Sequence, residues 1–206
     1  MVMENVETDI GLIGLGVMGS SLALNIESNG FSVSVHNRTS PQIHNLVKNR
    51  SSNNKLYGFE SLDEFVKSIK KPRKIMLMVV AGSVVDDYIQ KLTPLLDQGD
   101  IIIDGGNSHY PDTSRRTEEL EAKGFHFIGA GVSGGEKGAL NGPSIMPSGD
   151  KEAYALVQPY LEAISAKDKN DLPCCTYIGS EGSGQFIKMV HDGSEYVEMQ
   201  LLAQVT

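Results

Sequence analysis

The sequence predicts an α/β protein of the Rossmann type: a doubly wound, mostly parallel sheet followed by the start of a long C-terminal helix. Three observations carry this. Short apolar runs alternate with helical patterns, joined by short links. The first run, Ile10, Leu12 and Ile13, feeds straight into Gly14, Gly16 and Gly19, spaced G-x-G-x-x-G, and a helical pattern follows. Polar and glycine-rich clusters recur after successive runs, at 14–19, 37–39, 81–82, 105–108 and 131–135, where a parallel sheet gathers its ligand contacts.

Bulk properties set the class. A chain of 206 residues with 40% hydrophobic and 21% charged residues is globular, with room for one large domain or one domain and an appendage. The net charge of −8 argues against a nucleic-acid partner and offers a membrane surface no basic patch. No apolar run approaches the roughly 20 residues that span a bilayer. The acidic first residues lack the pattern of a signal peptide. The adjacent Cys174 and Cys175 read as reduced structural thiols, without the company of a zinc site, and a cytoplasmic location is expected.

The elements follow in order. In the glycine motif, Gly14 permits a tight turn, Gly16 lets backbone approach a pyrophosphate, and Gly19 lets the helix pack close to the strand. Met18, Leu22 and Ile26 mark that helix and Asn29-Gly30 its stop. A second strand is expected over 31–35. After it comes His36-Asn37-Arg38-Thr39-Ser40, with none of the carboxylates that would hold the ribose of NAD. A guanidinium there suits a 2′-phosphate, so Asn37, Arg38 and Thr39 read as an NADP pocket. The alternative is a surface arginine with Thr39 or Ser40 capping the next helix ahead of Pro41.

That helix should end near residue 50, with a loop over 51–55. Ser61 and Glu64 form a capping box before Phe65, Val66 and Ile69. Buried strands are expected over 75–80, 101–103 and 125–128, with helices over 83–92 and after Pro111. Residues 129–149 hold seven glycines and two prolines and read as one long loop, functional or simply a flexible surface loop. Within it, Ser133-Gly134-Gly135 can offer a hydroxyl and bare N–H groups to an anionic substrate. Asp150 should cap a helix to Ile164, and a last helix should run over 185–205. On that helix Lys188, His191, Asp192 and Glu195 share one face. They could be a base and acid pair, but spacing alone favours a charged stripe with a Lys188–Asp192 ion pair. The apolar edge of Leu201, Leu202 and Val205 looks made to pack on something further along.

These residues together resemble 6-phosphogluconate dehydrogenase, over essentially the whole length. The stretches that carry the resemblance are Gly-Leu-Gly-Val-Met-Gly at 14–19, Asn-Arg-Thr at 37–39, Asp-Gly-Gly-Asn-Ser at 104–108 and Asp-Thr-Ser-Arg-Arg at 112–116. Gly-Val-Ser-Gly-Gly-Glu at 131–136, Gly-Pro-Ser-Ile-Met-Pro at 142–147, Phe-Ile-Lys-Met-Val-His at 186–191 and Glu195-Tyr196 complete the set. The resemblance implies oxidative decarboxylation of 6-phosphogluconate with NADP and no metal. It makes Lys188 the general base and Glu195 the general acid. It implies coenzyme contacts at Gly14, Gly16, Val17, Met18, Gly19, Asn37, Arg38, Thr39, Val79, Ala81 and Asn107. Substrate contacts are implied at Asn107, Ser133, Gly134, Gly135, His191, Asp192 and Tyr196.

The resemblance also implies that residues 1–180 form the coenzyme domain and 181–206 begin a helical domain that completes a homodimer. Some positions depart from the family's pattern. Asp192 stands where an asparagine is usual, and would repel an anionic substrate or hold the proton of Lys188. Val80 stands where a lysine is common, Ser194 where an apolar residue is usual, and Ser148 where a glycine is usual.

Overall fold

The computed structural model describes residues 6–51 and 53–205. The first five of the acidic N-terminal residues read above for a leader, and Ser52 of the 51–55 loop, lie outside them. Seven strands of the described residues form one sheet: β1 (Ile10–Ile13), β2 (Val33–His36), β3 (Leu56–Phe59), β4 (Lys74–Leu77), β5 (Ile101–Asp104), β6 (His126–Ser133) and β7 (Ser144–Gly149). Their order is β3-β2-β1-β4-β5-β6-β7. All neighbours pair in parallel except β6 with β7, where Ile128 faces Gly149 and Ser133 faces Ser144. The winding reverses between β1 and β4, which opens a crevice at the C-terminal ends of those strands.

Among the described residues, eight α-helices connect and flank the sheet: α1 (Val17–Ser28), α2 (Ser40–Asn49), α3 (Leu62–Lys67), α4 (Ser83–Leu92), α5 (Tyr110–Glu121), α6 (Gly135–Asn141), α7 (Lys151–Ile164) and α8 (Ser183–Val205). Successive strand residues point to opposite faces, and the core divides accordingly. Ile10, Leu12, Met76, Ile101 and Ile103 meet Leu22 and Ile26 of α1, Ile43 of α2 and Val157 of α7. Ile13, Ile75, Leu77, Ile102 and Phe127 meet Phe65 of α3, Val85 of α4 and Leu120 of α5. This two-faced burial is why the strands read as continuous apolar runs.

The expected caps are present at two helices. Ser61 Oγ accepts from Glu64 N at 3.4 Å, and Asp150 accepts from Glu152 N at 2.6 Å and Ala153 N at 3.1 Å. Thr39 stands at the N-terminus of α2, but its side chain does not cap. Cys175 is buried with a free thiol that burial pushes up to about 12, so it stays protonated.

Three expectations are corrected. The second strand is 33–36 rather than 31–35, and the third apolar run leaves the sheet after Leu77, so that Met78, Val79 and Val80 are loop. The edge strand β3 goes unpredicted in the sequence reading: it is four residues long and carries Gly58, where an added Cβ would lie 2.3 Å from Ile43 Cγ2. The largest correction is at 129–149, which is no loop. It is the second half of β6, the short helix α6 and the antiparallel strand β7.

Several glycines of that stretch serve packing. A Cβ on Gly129 would lie 2.3 Å from Gln185 Oε1, and one on Gly131 would lie 2.6 Å from Lys188 Cβ. On the helix side, a Cβ on Gly184 would lie 2.0 Å from Met146 O. Bare backbone on both partners lets α8 lie against β6 and β7. Beyond Asp192, every described residue of α8 is exposed. Among the described residues, no helix is long and apolar enough to cross a membrane.

Candidate active site at the strand ends

The glycine turn after β1 shows three distinct needs. Gly14 has φ +100°, and a Cβ on it would lie 2.3 Å from Met78 O. A Cβ on Gly19 would lie 1.9 Å from Gly14 O, so only glycine lets α1 start this close to the turn. Gly16 has an ordinary φ of −68°, and nothing lies within 4 Å of a Cβ placed there. The protein itself does not need glycine at 16; the space beside it is room for something else. The first N–H groups of α1 lack partners within the helix and carry its positive end. Bare backbone, open space and a helix N-terminus together fit a pyrophosphate.

The end of β2 is tied to this turn. Asn37 Oδ1 accepts from Leu15 N at 3.0 Å, and Asn37 Nδ2 donates to Thr39 Oγ1 and to Gln42 Oε1, both at 2.9 Å. Thr39 therefore spends its hydroxyl on Asn37 and not on the helix. Arg38 beside it is exposed, with its guanidinium available to an anion.

On the other side of the turn lies a cavity of about 710 Å³. Its walls are Gly16, Val17, Met18 and Gly19, then Met78 to Val80 after β4, then Gly105, Gly106 and Asn107 after β5. Ser133, Gly134 and Gly135 at the end of β6 close a third side, and Lys188, Asp192, Glu195 and Tyr196 of α8 the fourth. A second hollow of about 440 Å³ lies on the other flank of Lys188 and shares Asn107, Asp192 and Tyr196 with the first. The structure thus brings together most of the residues singled out in the sequence. Asn37, Arg38 and Thr39 stand apart at the end of β2, as a ligand with two ends requires. Gly14 is inside the turn, and Ala81 and His191 do not line the larger cavity.

Lys188 is nearly buried, its side chain 12% exposed, and its ammonium donates to both oxygens of Asp192, at 2.5 Å to Oδ2. His191 Nδ1 lies 3.4 Å from Asp192 Oδ1 and 3.5 Å from Glu195 Oε2. Burial alone would raise the Asp192 carboxyl; the hydrogen bonds and charges of Lys188 and His191 outweigh it and hold the group below the usual carboxylate range. The ion pair expected from spacing is therefore present, and it sits inside the cavity. His191, Asp192 and Glu195 place one ligand atom each within 4.8 Å of one another, a spacing a metal ion could use, although the Lys188 ammonium already holds Asp192.

One organising group escaped the sequence reading. Arg116 of α5 is 1% exposed and lies between the loops after β4 and β5. The signal was there: α5 buries Thr113, Arg116, Thr117 and Leu120, so the arginine occupies its inward-facing stripe.

A glycine turn at the switch point, an exposed arginine where an acid would select NAD, and polar groups converging beyond β1, β4, β5 and β6 define a dinucleotide-binding domain of the doubly wound class. Comparison with known proteins takes this one step further. The NAD binding domain of 6-phosphogluconate dehydrogenase, as a family, matches residues 9–179, and the chain belongs to that family. It is 55% identical over 203 residues to a decarboxylating 6-phosphogluconate dehydrogenase of Dictyostelium discoideum, covering 98% of this chain and 41% of that protein. It is 57% identical over 195 residues to the NADP(+)-dependent, decarboxylating enzyme of Bacillus subtilis, covering 95% of this chain and 41% of that protein.

Among solved structures, the 6-phosphogluconate dehydrogenase of Plasmodium falciparum, studied free, with NADP+ and with 6-phosphogluconate, superposes with a TM-score of 0.91 at 45% identity. That match covers 96% of this chain and 42% of that one. A 3-hydroxyisobutyrate dehydrogenase of Mycobacterium tuberculosis, at 22% identity and a TM-score of 0.81, shares the fold. The chain spans about two fifths of the length of the 6-phosphogluconate dehydrogenases it matches.

Proposed function

We propose that this chain is the coenzyme-binding part of an NADP-dependent, decarboxylating 6-phosphogluconate dehydrogenase of the pentose phosphate pathway. The observation that carries the reading is the placement of Lys188. A nearly buried ammonium faces the same cavity as Gly16 and Asn107, at the end of the cleft away from Arg38. NADP, when bound, supplies the hydride acceptor. Arg38, with Asn37 and Thr39, holds the 2′-phosphate end, and Asn107 orients the other end beside the substrate.

Lys188, once neutral, takes the C3 hydroxyl proton as hydride leaves C3. After the resulting 3-keto acid loses its carboxyl carbon as carbon dioxide, the same proton steadies the enolate oxygen, and Glu195 protonates the carbon that bore the carboxylate, which is C1 of the five-carbon enol. Ser133, Gly134, Gly135, His191 and Asp192 contact the substrate and Tyr196 its phosphate. Residues 1–180 are then the coenzyme domain, and 181–206 open a helical domain that completes a homodimer in the cytosol. Because Tyr196 is 65% exposed and the described residues of α8 beyond Asp192 are exposed, the 206 residues alone should bind NADP and turn over little.

The Lys188–Asp192 pair favours a second reading, an NADP-binding module without catalysis. One assay separates them: the full-length protein with 6-phosphogluconate, NADP against NAD, following reduced nicotinamide and carbon dioxide. Turnover with an NADP preference supports the enzyme; NADP binding without turnover supports the module.

Asp192→Asn removes a charge that both repels an anionic substrate and engages the Lys188 ammonium through two hydrogen bonds. Charges this close interact by about 1–4 kcal/mol near a surface, so kcat/KM should rise about tenfold. An unchanged or lower value would show that the pair does not restrain Lys188.

A further inference from the structure

The motif 112–116 and the Asp104–Ser108 turn find a common purpose in Arg116. Its guanidinium grips Asp86 of α4 through Nε to Oδ1 at 2.8 Å and through one terminal nitrogen to Oδ2 at 3.1 Å. The same nitrogen donates to Gly82 O at 3.0 Å. The other terminal nitrogen reaches Ser108 Oγ at 3.4 Å and lies 3.5 Å from Asp104 Oδ2. Asp104 in turn accepts from Ser108 Oγ at 2.6 Å and from Gly106 N at 3.1 Å. Gly82 and Asp86, at and just inside the start of α4, follow β4; Asp104 ends β5, and Gly106 and Ser108 follow it. One buried arginine therefore pins both segments. Val79 and Val80, just ahead of Gly82, and Asn107, between Gly106 and Ser108, face the cavity.

Resting on the coenzyme reading above, we propose that Arg116 is a positioning residue for the hydride-accepting end of the dinucleotide. With the pyrophosphate at 16–19 and the 2′-phosphate end at Arg38, the remaining half of the ligand must lie against the segments after β4 and β5. Arg116 fixes the distance between those two walls. A planar fork can serve a carboxylate bidentately and still reach a carbonyl and a hydroxyl on its other edges, which an ammonium cannot. Among the described residues, no side-chain hydrogen bond of Arg116, Asp86, Asp104 or Ser108 reaches the turn at 16–19 or Arg38, so the effect should fall mainly on one half of the ligand.

That confinement gives the test. Arg116→Lys keeps the charge and loses the fork. In the full-length protein, NADP and 2′,5′-ADP are titrated by calorimetry; the second carries the 2′-phosphate and adenine but no nicotinamide. The expected result is an NADP Kd raised about tenfold, with that of 2′,5′-ADP within twofold and kcat lowered. Asp86→Asn leaves the arginine in place and weakens one grip, so it should show the same split more weakly, and it carries the test if Arg116→Lys does not fold. Equal weakening of both nucleotides would mark a merely structural role and overturn the proposal, as would no change in either. If the unaltered protein binds neither nucleotide, the coenzyme reading itself fails and this inference with it.

Discussion

Replacing Lys188 by methionine in the full-length protein is expected to lower kcat by about 10²–10⁴-fold, the usual contribution of a positioned acid–base group, while NADP affinity stays within about twofold. The two halves of that expectation have separate grounds. Lys188 lies on α8, across the cavity from the glycine turn, so its loss does not touch the groups that would hold the pyrophosphate or the 2′-phosphate. Its stem passes close over Gly131, and methionine keeps most of that stem, so α8 should stay docked. The freed Asp192 is 26% exposed and keeps His191 at 3.4 Å, so it is not left as an isolated buried charge. Steady-state kinetics beside a binding titration would check both halves. Turnover within tenfold of the parent would remove Lys188 from the role of base and turn attention to His191, 3.5 Å from Glu195.

The sequence made the parallel sheet legible because burial on both faces leaves an unambiguous apolar run. Ile101-Ile102-Ile103 needs no context to be read. It made the coenzyme turn legible because Gly14 and Gly19 answer local demands of chain geometry, and Gly16 completes a spacing that suits a pyrophosphate. Residues 129–149 were misread for the opposite reason. Gly129, Gly131 and Gly149 satisfy demands made by distant residues: Gln185, Lys188 and the carbonyl of Phe127, 2.5 Å from a Cβ on Gly149. Local rules see only flexibility in such glycines, whereas the fold uses them for close approach. Arg116 escaped for a related reason. Its partners Asp86 and Asp104 are 30 and 12 positions away in sequence, so the stripe of α5 could turn it inward but nothing local named what it would bind there. The Lys188–Asp192 pair, four residues apart on one helix, was foreseen. Whether a charged helical stripe lies in solvent or in a cleft depends on how the helix docks, which the glycines of β6 decide.

Those same distinctions predict opposite outcomes for two glycines three residues apart. Gly16→Ala should leave stability within about 1 kcal/mol: the site has an ordinary φ of −68° and open space around the new methyl, and alanine restrains the unfolded chain more than glycine does. Yet the methyl would stand where a pyrophosphate must come close, and overpacking of that kind costs about 1–3 kcal/mol, or roughly ten- to a hundredfold in NADP affinity. Gly19→Ala should do the reverse in order of cause. Its methyl would meet Gly14 O at 1.9 Å, a backbone atom that cannot swing aside. Helix α1 must lift from β1, with a loss of about 3 kcal/mol and a fall in Tm of roughly 6–12 °C, and coenzyme affinity falls because the helix end has moved. Thermal melts with and without NADP separate the two. Gly16→Ala should melt like the parent without NADP and lose the stabilisation that NADP brings; Gly19→Ala should melt early in both. A Gly16→Ala protein that binds NADP as well as the parent would show that the open space beside α1 is not where the pyrophosphate sits, and the assignment of the cleft would have to move with it.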